Sequence, residues 1–330
     1  MFSLTRQKLT AYAVFLHFAL WAFFPASLLA QGGSAKERLI LAVPSQAMSM
    51  MPFLFAAERG FFKEQGLEPL IVSVAGQLHP AAMASGEVDY SAAVDTTLRA
   101  AIQGMPFKVV VYSGSKLSVS LIAGPEIKSV RELKGRAIAV TSLGGNLEYL
   151  AREILAHDGL NPGRDVRMVA LSQSDSMLGL ETGSIQGAML IPPYDAIMMR
   201  KGLKRLLFAG DIAEYPQGGL ATTDKRIRDN PAEVKKMIRA VVKTLLYIHE
   251  SRGPMISYTS QRWKIDRDLA SASYETMVRS LSRDGTASTQ AIQNVIESTR
   301  TRLKLQRAVA PSEVVNLSLL EEVRRDLGLK

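Results

Sequence analysis

Cysteine is absent from the 330 residues. That excludes disulfides, thiolate metal sites, thiol nucleophiles and the lipid-anchored cysteine that follows some export signals. Histidine is almost absent too. Of the four, His17 falls in the apolar leader, and His79, His157 and His249 have no metal-ligand spacing with one another. No Gly-x-Ser-x-Gly, P-loop or dinucleotide fingerprint occurs, so the motif-bearing hydrolases, NTPases and Rossmann oxidoreductases lose their sequence support. Aromatic residues make up only 7%, and the 40 Lys and Arg are scattered among 31 Asp and Glu. A nucleic-acid surface would gather its cations on one face with interleaved aromatics, so no nucleic-acid partner is expected. Carboxylate pairs such as Glu321-Glu322 read as solvated helix faces. The chain thus offers no catalytic constellation, no metal site and no cofactor motif.

Long apolar runs are missing as well, except at the start. Ala11 to Phe24 is apolar behind Arg6 and Lys8, and Pro25 and Ala26 break it. Residues 1–30 therefore read as an export signal peptide, the run being short of the roughly 20 residues of a membrane span. Loss of its two basic residues would leave most of the +9 net charge on the mature chain, which favours solubility and, weakly, anionic solutes. Some 300 remaining residues exceed what one hydrophobic core usually serves, so two lobes are expected.

What is present is a regular alternation, organised around Met51 to Glu68. Pro52 fits the first turn of a helix, and Phe53, Leu54, Ala57 and Phe61 recur on one helical face. Gly60 and Gly66 are candidate stops. Apolar strands at 39–43 and 69–74 flank the stretch, and strand–helix–strand over so short a length demands a parallel sheet. The alternation continues to a strand at 107–112, and Gly124-Pro125 marks a crossing into a second run of strands and helices. Gly183-Ser184-Ile185-Gln186-Gly187 echoes the helix stop and strand entry at 85–89. Gly218-Gly219 marks the return, and Asn230-Pro231-Ala232-Glu233 reads as a helix start with cap, proline and glutamate in place. Helices at about 266–282, 288–303 and 312–327 complete the chain. The expected class is α/β, with lobe 1 at 36–124 and 220–330 and lobe 2 at 125–219.

In open α/β sheets, ligands collect beyond the carboxyl ends of the strands. In lobe 1 that rule selects Ser45, Gln46 and Met48, then Val94, Asp95 and Thr96, then Ser113. Met48 also suits ordinary packing, and Asp95 is also a natural helix N-cap, although an amine could use it. In lobe 2 it selects Ser142, Leu143, Gly144, Gly145 and Asn146, small and polar groups ahead of a helix whose N-terminus favours an anion. His79 reads as a surface histidine at a helix end, and Gln217 is a weaker candidate beside the return crossing.

The motifs themselves resemble the periplasmic solute-binding proteins for sulfonates, taurine, nitrate and thiamine-pyrimidine precursors. The pattern Pro-x-x-x-Ala-x-x-x-Gly-x-Phe stands here as Pro52, Ala56, Gly60 and Phe62, followed by Gly66-Leu67-Glu68. Ser85-Gly86-Glu87-Val88-Asp89 and the helix–glycine–strand step at 129–140 fit the same group. That group also places a proline, often with an aromatic, at the strand end where Pro193 and Tyr194 occur, which adds both to the candidate site. The resemblance implies a type II periplasmic-binding fold with two hinge crossings. It further implies a periplasmic monomer that delivers a small solute, anionic or heterocyclic, to an ABC permease and its ATPase. Thiamine-pyrimidine synthases share the superfamily, but their cysteine-rich iron motif has no counterpart here. A ligand-sensing ectodomain is the remaining alternative.

Overall fold

The computed structural model describes residues 39–143, 145–212 and 214–329; the expected signal peptide lies outside them. The apolar run after Arg38 becomes β1 (Ile40–Val43), with Leu41, Ala42 and Val43 fully buried. It pairs in parallel with β2 (Leu70–Ser73) and with β3 (Tyr90–Ser91). Between them lie α1 (Met51–Glu58) and α2 (His79–Ser85), and α3 (Val94–Ile102) follows β3. The first sheet is completed by β4 (Phe107–Lys116) and β10 (Glu214–Thr223), in the order β2-β1-β3-β10-β4, with β10 antiparallel to both neighbours.

The second sheet contains β5 (Ser120–Ala123), β6 (Ala137–Val140), β7 (Arg167–Ala170), β8 (Gly187–Leu190) and β9 (Lys204–Phe208), in the order β7-β6-β8-β5-β9. Its helices are α4 (Asn146–His157), α5 (Gln173–Thr182) and α6 (Tyr194–Arg200). The two orders are the same pattern. In each, three parallel strands are followed by one antiparallel strand, and that strand is the one that has just arrived from the other sheet. The wholly buried strands β5, β6 and β8 are apolar throughout their interior, whereas β7 at the edge is exposed at both ends.

The backbone changes sheet at 117–119 and again before β10. Both places lie earlier than the boundaries at 124 and 219 read from the sequence, ahead of β5 and of β10. Gly124-Pro125 ends β5 inside the second sheet, and Gly218-Gly219 lies within β10 in the first. The chain then runs through α7 (Asp224–Asp229), α8 (Pro231–Glu250), α9 (Arg252–Trp263), α10 (Arg267–Val278), α11 (Thr289–Leu303), α12 (Pro311–Val314) and α13 (Ser318–Asp326). The helix α9 has no counterpart in the sequence reading.

Three local expectations change for physical reasons. Helix α1 buries every residue from Met51 to Ala56 while Ala57 is exposed, because it is enclosed by the sheet and α8 on one side and by the α9–α10 cluster on the other. Phe61 falls past its end, beyond the left-handed Gly60. At the start of α8, Glu233 does not cap the helix. It accepts from the Tyr90 hydroxyl at 2.9 Å and from Arg226, whose guanidinium also pairs with Asp89.

Candidate functional site

The carboxyl ends of β1, β2, β3 and β8 deliver their loops to one cavity of about 330 Å³, and the helix after β6 adds to its wall. That volume is in the range of a small-molecule pocket. The first sheet contributes Pro44, Met48, Val94, Asp95 and Thr96, together with Ser113 of β4 and Gln217 of β10. The crossing segment contributes Leu117, Ser118 and Val119. The second sheet adds Leu147 and Leu150 of α4, then Ile191 and Pro192 after β8. Among the described residues, every side chain from the second sheet and its helices on this wall is apolar.

A further wall comes from Met277, Ser280 and Leu281 at the end of α10. Hydrogen bonds fix this segment to β4: the amides of Ser115 and Lys116 donate to Ser280 O at 2.9 and 3.2 Å, and the Ser282 amide donates to Ser113 O at 2.9 Å. The same helix reaches the second sheet. Arg205 Nη2 donates to Thr276 Oγ1 at 2.8 Å, and Arg279 pairs with Asp211. Thus α10 closes the cavity on one side while touching both halves.

Of the residues singled out in the sequence, Met48, Val94, Asp95, Thr96 and Ser113 line the cavity, as does the weaker candidate Gln217. Ser45 and Gln46 do not. Ser45 accepts from the Ala47 amide, and Gln46 faces outward, donating to Ser73 Oγ at 2.9 Å and accepting from Arg262 at 2.6 Å. Ser142 and Leu143 are exposed and, like Gly145, are not among the lining residues, while Gly144 and the side chain of Asn146 lie outside what the structure describes. Pro193 forms the N-cap of α6, and Tyr194 packs against the cluster of Ile122, Leu180 and Met198; the preceding Ile191 and Pro192 reach the cavity instead. The tail residues 277–281 gave no sequence signal, since only tertiary packing brings them to β4. Leu147 and Leu150 look like ordinary core positions of an amphipathic helix.

Asp95 is not the cap of α3. The N-cap is Ala93, which places Asp95 in the first turn. Burial pushes its carboxyl up to about 6, more than Arg99 and Arg302 pull it down. His79 is fully buried rather than on the surface. Its Nε2 lies 2.9 Å from Val74 O and its Nδ1 2.7 Å from Ser91 Oγ. A carbonyl only accepts, so Nε2 carries the proton and Nδ1 accepts from the serine. Burial lowers the His79 pKa despite the bond to Val74, which keeps the ring neutral. Ser91 Oγ also accepts from the Ala93 amide at 3.1 Å, so the histidine braces the loop carrying Ala93 and Val94 from behind. Among the described residues, no group of three or more His, Cys, Asp or Glu is placed to hold a metal ion, and no helix is long and apolar enough to cross a membrane.

Comparisons with solved structures show the fold. The chain is similar to the periplasmic sulfonate-binding protein SsuA from Methylobacillus flagellatus KT, with a TM-score of 0.73 and 16% identity over 89% of this chain and 96% of that one. It is also similar to the desulfurization enzyme DSZB in complex with biphenyl-2-sulfinic acid, with a TM-score of 0.62 and 14% identity over 88% and 99%. Among curated proteins it is similar to the riboflavin-binding protein RibY of Chloroflexus aurantiacus, 22% identical over 205 residues. That alignment takes in 59% of this chain, which spans 57% of the relative's length. The two-lobe periplasmic-binding architecture expected from the motifs is the one observed. The family described as NMT1/THI5 like matches residues 47–252, from the loop after β1 to the end of α8. With more than half of its length so matched, the chain belongs to the NMT1/THI5-like family.

Proposed function

We propose that this chain is the solute-binding component of an ABC importer, exported to the periplasm and acting there as a monomer. It takes a small, ring-containing, largely apolar solute into the cavity and presents it to a permease with its ATPase. The observation that carries this reading is the division of the cavity wall. The first sheet supplies the polar groups, and among the described side chains the second supplies Leu147, Leu150, Ile191 and Pro192. A solute seated on the first sheet would draw the second over it by apolar contact, biasing an open–closed equilibrium. A nitrate ion would lose its hydration without recovering it on such a wall. The DSZB neighbour shows that an enzyme can have this architecture. In this chain, however, His79 is committed to Val74 and Ser91 and does not line the cavity.

A thermal-shift panel of riboflavin, aminopyrimidines, aromatic amidines, aromatic and alkane sulfonates and nitrate tests this directly. The ring compounds should raise the melting temperature, a ligand at about a hundred times its dissociation constant adding about 2.7 kcal/mol. Stabilisation by nitrate or alkanesulfonate alone would overturn the solute class, and no stabilisation by any member would overturn the binding role. Filling the cavity should separate affinity from stability. Leu147→Trp, at a half-buried position on α4, is expected to weaken binding at least tenfold in calorimetry while moving the urea-unfolding free energy by less than about 1 kcal/mol.

A further inference from the structure

The polar groups around the cavity are unequal in what they offer. Thr96 Oγ1 donates to the carbonyls of Gly76 and Ala93 at 2.9 and 3.0 Å, and Ser280 Oγ donates to Met277 O at 2.7 Å. Both hydroxyl hydrogens are spent on the protein, so each leaves only lone pairs for a solute. Among the described residues of the wall, Asp95, next to Thr96, is the one carboxylate and Lys116 on β4 the one cation. Ser118 Oγ, also on the wall, is buried with no hydrogen-bond partner. The α3 end of the cavity is thus rich in acceptors.

Charged and titratable groups act on Asp95 from each element around it. Arg99 follows one turn along α3 and Arg302 comes from α11, while the phenols of Tyr112 on β4 and Tyr215 on β10 feel its charge. Burial first, and the Asp95 charge second, push both phenols up. Tyr112 Oη is buried and has no hydrogen-bond partner.

We propose that Asp95 is the specificity-determining residue of the cavity, accepting hydrogen bonds from a cationic, N–H-rich head group on the solute and rejecting sulfonates and other anions. The inference rests on the solute-binding reading above and narrows it to one solute class. The carboxylate is the acceptor form, and Asp95 carries a proton below about pH 6. Affinity for a permanent cation therefore falls as the pH drops through that value, by about tenfold per pH unit once below it.

The test is calorimetry of the protein with benzamidine and benzenesulfonate, two benzene rings with opposite charges that persist across the pH range used. Wild type is expected to bind benzamidine at least tenfold more tightly than benzenesulfonate at about pH 8, and to weaken about tenfold for benzamidine at about pH 5. Asp95→Asn should lose both the preference and the pH step. Preference for benzenesulfonate would show that Lys116 governs selection and would overturn the proposal. A flat wild-type pH profile, which needs no variant to fold, would overturn it equally, as would an Asp95→Asn protein with unchanged selectivity. If neither probe binds while another member of the panel does, the Asp95 proposal falls and the solute-binding reading stands. If no member of the panel binds, both fall.

Discussion

Replacing Arg205 by alanine is expected to cost about 3 kcal/mol of stability near neutral pH, although Arg205 lies away from the cavity. Its partner Asp195 is completely buried at the start of α6. Asp195 Oδ2 accepts from Ser120 Oγ at 2.9 Å and from Arg205 Nη2 at 3.0 Å, and Oδ1 accepts from the Ala196 amide at 2.8 Å. Burial pushes this carboxyl above its ordinary range, opposed by the Ser120 hydroxyl and the Arg205 charge. Removing the guanidinium leaves two hydrogen bonds and no countercharge. Breaking a buried pair from one side typically costs about 3–5 kcal/mol; the low end applies because the Arg205 side chain is 21% exposed.

The pH dependence follows from the direction of the shift. A carboxyl whose folded pKa lies above its unfolded value favours the folded state below the unfolded pKa, and that advantage is lost as pH rises through the folded one. Without Arg205 the folded value moves further up. The penalty of Arg205→Ala should therefore be full at about pH 8 and shrink as the solution is acidified, because protonated Asp195 needs no countercharge. Urea unfolding at several pH values measures this. Asp195→Asn added to Arg205→Ala should recover most of the loss at pH 8. A penalty below about 1 kcal/mol at every pH, or one that grows on acidification, would remove the ion pair from the account. Arg205 also ties the second sheet to Thr276 beside the cavity wall, so the same variant should release bound solute faster.

The stretch from Met51 to Glu68 was legible because local chemistry settles it: proline at the helix start, glycine at φ +83° and +72° at the two stops. The parallel strands of each sheet followed from the lengths of the connections. The crossings were misplaced because nothing punctuates them. β4 and β10 are each ten residues long and extend from the first sheet toward the second, with two register shifts along their ladder, whereas the conspicuous Gly124-Pro125 merely ends β5. Part of the cavity wall was legible for a related reason. Strand ends can be read from periodicity, and Met48, Val94 to Thr96 and Ser113, selected that way, line the cavity. Ser142 and Leu143 satisfy the same rule, yet they are exposed rather than on the wall. Which residues beyond β6 reach the wall is set by tertiary packing, which no local pattern encodes. Met277, Ser280 and Leu281 depended on a contact between residues far apart in sequence.

Gly219→Ala is expected to be the most damaging small substitution in the strand pair that leads to the crossings. Gly219 holds φ +144° in the middle of β10, opposite Tyr112 of β4. A methyl group there would lie 2.2 Å from Val111 O and 3.0 Å from Tyr112 Cα. Both are backbone atoms of the paired strand, so relief requires parting β4 from β10 rather than turning a side chain. Gly114 stands in the same ladder, where an added Cβ would meet Gln217 O at 2.3 Å. The close approach of the two strands sets the positions of Ser113, Gln217 and Gly218 on the cavity wall. Stability and solute affinity should therefore fall together, by at least about 3 kcal/mol in unfolding free energy. Gly104→Ala is the matched comparison. Its φ is +103°, but nothing lies within 4 Å of the added carbon, so it carries the backbone strain without the collision and should cost about 1 kcal/mol. Urea midpoints for the two variants separate the effects: equal losses would mean that φ alone matters and that the strands are free to part, whereas a several-fold larger loss at Gly219 shows that their closeness is required.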